Sequence, residues 1–147
     1  MSGTERNRAL GFAINDSARA IRQRFNEESR PLGLTQAQCR ILIYVNRQPG
    51  VSQKALADLL EVRPMSLTRQ LDRLQQAGLL ERRANLRDRR AFQLFVTAAA
   101  EPLLQQIRRI GAQVMCKALA GFSEDETAAL LAALQRLKAN LGLDGPA

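Results

Sequence analysis

Apolar positions along the chain form a series of helical stripes, interrupted once by alternating residues. Leu10, Ile14, Ala18, Ile21 and Phe25 recur every three or four residues, so residues 5–28 predict one amphipathic helix. Pro31 and Gly33 break that pattern. Thr35, with Gln38 three residues on, reads as a capping box opening a second helix. Ile41, Leu42 and Val45 supply its apolar side, and Pro49-Gly50 ends it. Ser52 predicts the N-cap of a short third helix through Leu60, with Ala55, Leu59 and Leu60 inward. After the tight link Glu61-Val62-Arg63, Pro64 suits the first turn of a fourth helix, where a missing N–H costs nothing. Leu67, Leu71, Leu74 and Ala77 form that helix's buried stripe, and Gly78 suits the left-handed position beyond its end.

The period then changes. Leu79 to Arg83 reads as a short strand, and Phe92, Leu94 and Val96 alternate as strand residues do. The polar run Arg82 to Arg90 between them is a hairpin tip. Helical spacing returns from Thr97 to Leu119, with Leu103, Ile107, Ile110 and Val114 inward and Pro102 near the first turn. Ser123 with Glu126 is a further capping box, opening a last helix that carries Leu130, Leu134, Leu137 and Leu141. The fold class is therefore mainly α with a small β-hairpin wing: four helices, a hairpin, then two helices, six helices in all, in a single domain spanning 1–147. Three terminal helices with long apolar stripes exceed what so small a domain readily hides alone, which points to a second copy of the chain as cover.

Composition narrows the chemistry. Hydrophobic residues make up 46% of 147 residues, enough for a core. No apolar run approaches the roughly 20 residues of a membrane span, and Met1-Ser2-Gly3-Thr4-Glu5-Arg6 has no signal-peptide character. The expectation is a cytoplasmic protein without a membrane partner. The chain has no histidine, which removes Ser-His and Cys-His nucleophile pairs and the commonest metal ligand. Cys39 and Cys116 are the only cysteines, far apart in sequence, and read as reduced, half-buried thiols rather than a disulfide or half a zinc site. The expectation is accordingly no catalytic residue, no metal, no cofactor and no enzyme.

Charge adds a direction. The net charge is +8, and residues 31–100 hold eleven Lys/Arg against five Asp/Glu, while residues 101–147 hold five of each. A basic surface confined to the middle of the chain favours a polyanion. Residues 52–77 form two helices joined by about three residues, the helix-turn-helix spacing. With Leu67, Leu71 and Leu74 inward, the fourth helix turns Met65, Ser66, Arg69, Arg73 and Gln76 outward, with Thr68 at the edge. Arginine grips guanine with two hydrogen bonds, hydroxyls reach bases or phosphates, and methionine touches a thymine methyl. Asp72 also points outward and calls for a cation partner, Arg69 or Arg73. Five of the nine residues 82–90 are arginine and one is acidic, a concentration suited to a narrow minor groove, with Asp88 placed to hold a neighbouring arginine.

These segments together resemble the MarR family, closest to its SlyA-like branch. The resemblance rests on Leu32-Gly33-Leu34-Thr35, Leu56-Ala57-Asp58-Leu59-Leu60, and Ser66-Leu67-Thr68-Arg69-Gln70-Leu71-Asp72-Arg73-Leu74. It continues through Gly78-Leu79-Leu80, Asp88-Arg89-Arg90-Ala91 and Val96-Thr97. It implies a winged helix-turn-helix homodimer, with residues 5–30 and 98–142 as dimerisation helices and 35–97 as the DNA-binding part. The partner would be double-stranded DNA carrying a pseudo-palindromic operator, and the role that of a nucleoid-associated transcription regulator such as a repressor. Met65, Ser66, Thr68, Arg69 and Arg73 would serve as the recognition helix, and Arg87, Asp88, Arg89 and Arg90 as the wing. A small aromatic or phenolic effector in a cavity drawn from the first, second and fifth helices is implied as well. Two departures stand out: the family's usual glycine after its Leu-Thr pair is Ala100 here, and the first helix lacks the cysteine of peroxide-sensing relatives.

Overall fold

Four of the six helices begin at a hydroxyl side chain. In the computed structural model, which describes residues 1–143, the helices are α1 (Gly3–Ser29), α2 (Gln36–Arg47), α3 (Gln53–Leu60), α4 (Pro64–Gln76), α5 (Glu101–Ala118) and α6 (Glu124–Asn140). Ser2, Thr35, Ser52 and Ser123 each accept the N–H three residues ahead, satisfying one of the orphan donors of a first turn. At Thr35 and Ser123 the bond is returned by Gln38 and Glu126, as the capping boxes require. Pro64 opens α4, and Gly78 follows it with φ 74°. The turn between α3 and α4 is sharp enough to put Glu61 in the left-handed region at φ 53°, which a Cβ makes costly. The expected domain runs to residue 147; its last four positions lie outside the described residues.

The strands are β1 (Val51–Ser52), β2 (Leu80–Ala84) and β3 (Phe92–Val96), in the order β1-β3-β2, all antiparallel. β2 and β3 form the predicted hairpin, in register from Leu80 opposite Val96 to Ala84 opposite Phe92. β1 is an addition that periodicity cannot show, because two residues have no period. It pairs Val51 with Leu94 and pins the hairpin to the start of α3.

One core joins α2, α3, α4, the hairpin base and α5. Leu42, Val45, Leu56, Leu71 and Leu94 are wholly sealed within it. Three inward assignments shift. In α3, Leu56 and Ala57 are buried with Leu60, whereas Ala55 and Leu59 face out; an eight-residue helix is too short for its stripe to fix the phase. Ala77 caps α4 at the surface. In α5 the sealed residues are Leu104, Ile107 and Val114, with Leu103 and Ile110 only half-buried. Ala100 is fully buried, so this position tolerates a methyl in place of the family's glycine. Cys39 is also fully buried, and burial pushes its thiol up; Cys116 is exposed on α5. Neither is half-buried as expected.

The terminal helices behave differently. α6 contains no buried residue, and Leu130, Leu131 and Leu134 are open to water on it. Leu10 and Phe12 are likewise open on α1, whose later part packs on α5. Lys117 Nζ fastens that contact by donating to Glu28 Oε1 at 2.5 Å, and this bond above all holds the Glu28 carboxyl below the usual range. Among the described residues, no helix is long and apolar enough to cross a membrane.

Candidate nucleic-acid interface

The core sets the outward face of α4. With Leu67, Leu71 and Leu74 buried, Met65, Ser66, Arg69 and Arg73 are exposed together, as the rotation predicts. Arg69 and Arg73 have no ion-pair partner among the described residues. Thr68, at the edge, is half-buried. Its hydroxyl donates to the Pro64 carbonyl at 3.0 Å and accepts from Gln53 Nε2 at 2.7 Å, tying α4 to the first residue of α3.

Asp72 pairs with neither Arg69 nor Arg73. Its partner is Arg82 of β2, at 2.8 Å. The same guanidinium donates to Gln75 Oε1 at 2.7 Å and to the Thr68 carbonyl at 3.5 Å, and its side chain is only 14% exposed. Directly opposite residues of a hairpin share a face, and Arg82 stands opposite the buried Leu94. It therefore lies under α4 as a strut between helix and wing. Arg83 is also occupied: it pairs with Glu81 and lies 4.0 Å from the centre of the Phe95 ring. The arginine run thus divides. Two cations at the stalk are neutralised, while Arg87, Arg89 and Arg90 at the tip are exposed and unpaired among the described residues.

The tip itself is braced. Asn85 N–H donates to the Ala91 carbonyl at 3.1 Å and Ala91 N–H to the Asp88 carbonyl at 3.1 Å. Asn85 Oδ1 accepts from Arg87 N–H at 2.9 Å, and Asp88 Oδ1 from Arg90 N–H at 3.0 Å. Asp88 was expected to hold an arginine side chain; it holds the backbone instead, leaving the guanidinium groups free. Side-chain carboxylates and amides bonding two residues ahead make this kind of turn.

A groove of about 750 Å³ separates the wing from α3, lined by Ser52, Lys54, Asp58, Pro64, Arg90 and Phe92 among others. Lys54 is the residue that sequence reasoning passed over. A signal for it exists: a cation in the first turn of a helix opposes the helix dipole and wants an external anion. A second cavity, of about 400 Å³, lies between α1, α2 and α5, where the resemblance puts an effector. Arg22, Arg40, Phe25, Tyr44 and Met115 contribute to its wall, which among the described residues has two cations and no carboxylate.

The model of the MarR family matches residues 34–92, the stretch from just before α2 to the first residue of β3. Among solved structures, the transcriptional regulator PA3341 is 33% identical, with a TM-score of 0.78 over 90% of this chain and 98% of that one. Wild-type MarR from E. coli in its apo form is 27% identical, with a TM-score of 0.75 over 87% and 95%. The transcriptional regulator SlyA is 27% identical, with a TM-score of 0.74 over 92% and 95%. These likenesses span both the winged-helix part and the terminal helices, and the chain belongs to the MarR family of transcriptional regulators.

Proposed function

We propose that this chain is a dimeric, sequence-specific double-stranded-DNA-binding regulator, a repressor of the SlyA-like kind, whose hold on a pseudo-palindromic operator is modulated by a small aromatic or phenolic anion. The observation that carries the reading is the trio of unpaired arginines, Arg87, Arg89 and Arg90, on a braced finger beside the exposed Met65, Ser66, Arg69 and Arg73. The N-terminal part of α4 enters the major groove and reads base edges. The wing arginines enter the adjacent minor groove, where phosphates of both strands focus negative potential. Lys54 and Arg90, on opposite walls of the intervening groove, take the sugar-phosphate backbone that runs between the two. Thr68 and Asp88 shape the helix and the turn that carry the contacts.

Residues 35–97 form the DNA-binding part, and residues 5–30 and 98–142 the dimer base. The open leucines of α6 support a second copy as their cover, and a two-fold partner sets the second recognition helix roughly 34 Å away, one turn of DNA. The cavity between α1, α2 and α5 suits an aromatic anion: Arg22 and Arg40 for the charge, Phe25 and Tyr44 for the ring. A ligand there sits between the dimer base and the DNA-binding part and changes the spacing of the two recognition helices. The protein acts in the cytoplasm, at the nucleoid.

Titrating the protein against duplexes selected from genomic fragments, at several salt concentrations, tests this. A steep fall of log affinity with log salt is expected, with the slope shallower by about one after Arg90→Ala because one fewer counterion is released. Absence of binding, or a slope indifferent to Arg90, rejects it.

A further inference from the structure

Leu86 lies in the wing turn, directly after Asn85, and is 100% exposed. A lone exposed leucine is ordinary on a protein surface, but two features set this one apart. Its turn is held on both sides by side-chain-to-backbone bonds, from Asn85 before it and Asp88 after it, so the residue is presented rather than left loose. Its sequence surroundings are also cationic: Arg87, Arg89 and Arg90 follow, and all are exposed. The turn proposed to meet polyphosphate therefore carries an uncovered isobutyl group, close in sequence to the groups that would draw it down to a duplex.

We propose that Leu86 is a minor-groove wedge: as the wing arginines clasp phosphates, its side chain enters between two base pairs and selects a step that unstacks easily. The proposal rests on the DNA-binding reading above. Apolar wedges of this kind part adjacent base pairs and bend the duplex toward the major groove. Pyrimidine–purine steps, TA and CA, yield most readily. The leucine thereby reads sequence through deformability at positions where arginine on phosphate reads none. The two contributions differ in kind. Arginine contacts release counterions and fade with salt, whereas withdrawal of a leucine from water is insensitive to it over the same range.

The test is selection from a random-sequence duplex pool by the full-length protein, by Leu86→Ser and by Leu86→Met. Affinity of the winning duplex is then measured at several salt concentrations, and its bending by gel mobility. Full exposure of Leu86 means that neither substitution disturbs folding. Wild type is expected to enrich TA or CA steps at two positions placed symmetrically outside the major-groove half-sites. Leu86→Ser should lose that enrichment alone, bind about tenfold more weakly, bend the duplex less, and keep the salt slope; Leu86→Met should retain the preference. If Leu86→Ser selects the same sequences with affinity within about twofold, as for an ordinary surface change, the wedge is overturned and the DNA-binding reading stands. If wild type enriches no sequence at all, both fall.

Discussion

Leucines in the winged-helix part and in α6 meet opposite fates. Leu42, Leu56, Leu71 and Leu94 are completely buried by their own chain, whereas Leu130, Leu131 and Leu134 stand 42%, 57% and 38% exposed on a helix that buries nothing. The residue type is the same, and for those on helices the spacing is comparable. What differs is the supply of facing surface: α2, α3, α4 and the hairpin base converge on one point, while among the described residues no element packs extensively on α6. Under the proposed function, the sealed part is the reading head and the open apolar helix is the surface that meets another copy. Charge divides along the same line, with the surplus of cations on the sealed part and a balanced terminal region.

The largest effect comes from charging the open helix. Leu131→Glu together with Leu134→Glu should convert dimers to monomers in sedimentation equilibrium while circular dichroism keeps its helical signal. Loss of the second reading head should cost about 10²–10⁴ in operator affinity. A dimer that survives both changes would detach α6 from assembly. Within the sealed part, Leu71→Ala should lower unfolding stability by about 2–5 kcal/mol in urea, since it empties a closed site. A cost well under that range would mean the core is looser than its burial indicates.

Arg82→Ala sharpens the contrast between stalk and tip. It removes the strut to Asp72, Gln75 and the Thr68 carbonyl and should cost about 1–2 kcal/mol, discounted for the half-exposed Asp72. Operator binding weakens because the wing loses its angle, yet the salt slope should stay as in wild type. A slope reduced as by Arg90→Ala would place Arg82 among the cations that face DNA. The smallest effect concerns the seam between α1 and α5. Because Lys117 lowers the Glu28 carboxyl, their bond stabilises the fold above the ordinary carboxylate range and is lost as pH falls through the lowered value. Lys117→Met should therefore be slightly destabilising at neutral pH and indistinguishable from wild type in strong acid, as followed by thermal unfolding.

Local features were the legible ones. Thr35 with Gln38, Ser123 with Glu126, and Ser52 each mark a helix start through bonds made within three residues, and Pro64 does so through its fixed backbone angle; all four starts appear in the fold. The outward face of α4 was equally readable, since thirteen residues fix the phase of a helix. What stayed hidden depends on contacts distant along the chain. Arg82, Arg83 and Arg87 look alike in sequence; only strand pairing puts the first beneath α4 and the second on Phe95. Asp72 found a cation ten residues away rather than one on its own helix. β1 is too short for a pattern, α3 too short for a phase, and the prominence of Leu86 depends on the turn that Asn85 and Asp88 build.

Hydroxyl-radical footprinting of the selected duplex tests the central claim most directly, because it reports sugar protection along the minor groove. Fingers tipped with Arg87, Arg89 and Arg90 predict two protected minor-groove patches flanking the major-groove half-sites. Both patches should disappear when the three arginines are replaced by alanine, while the half-sites keep partial protection. A bound duplex whose minor groove is cleaved as freely as naked DNA, with the wing intact, would contradict the account.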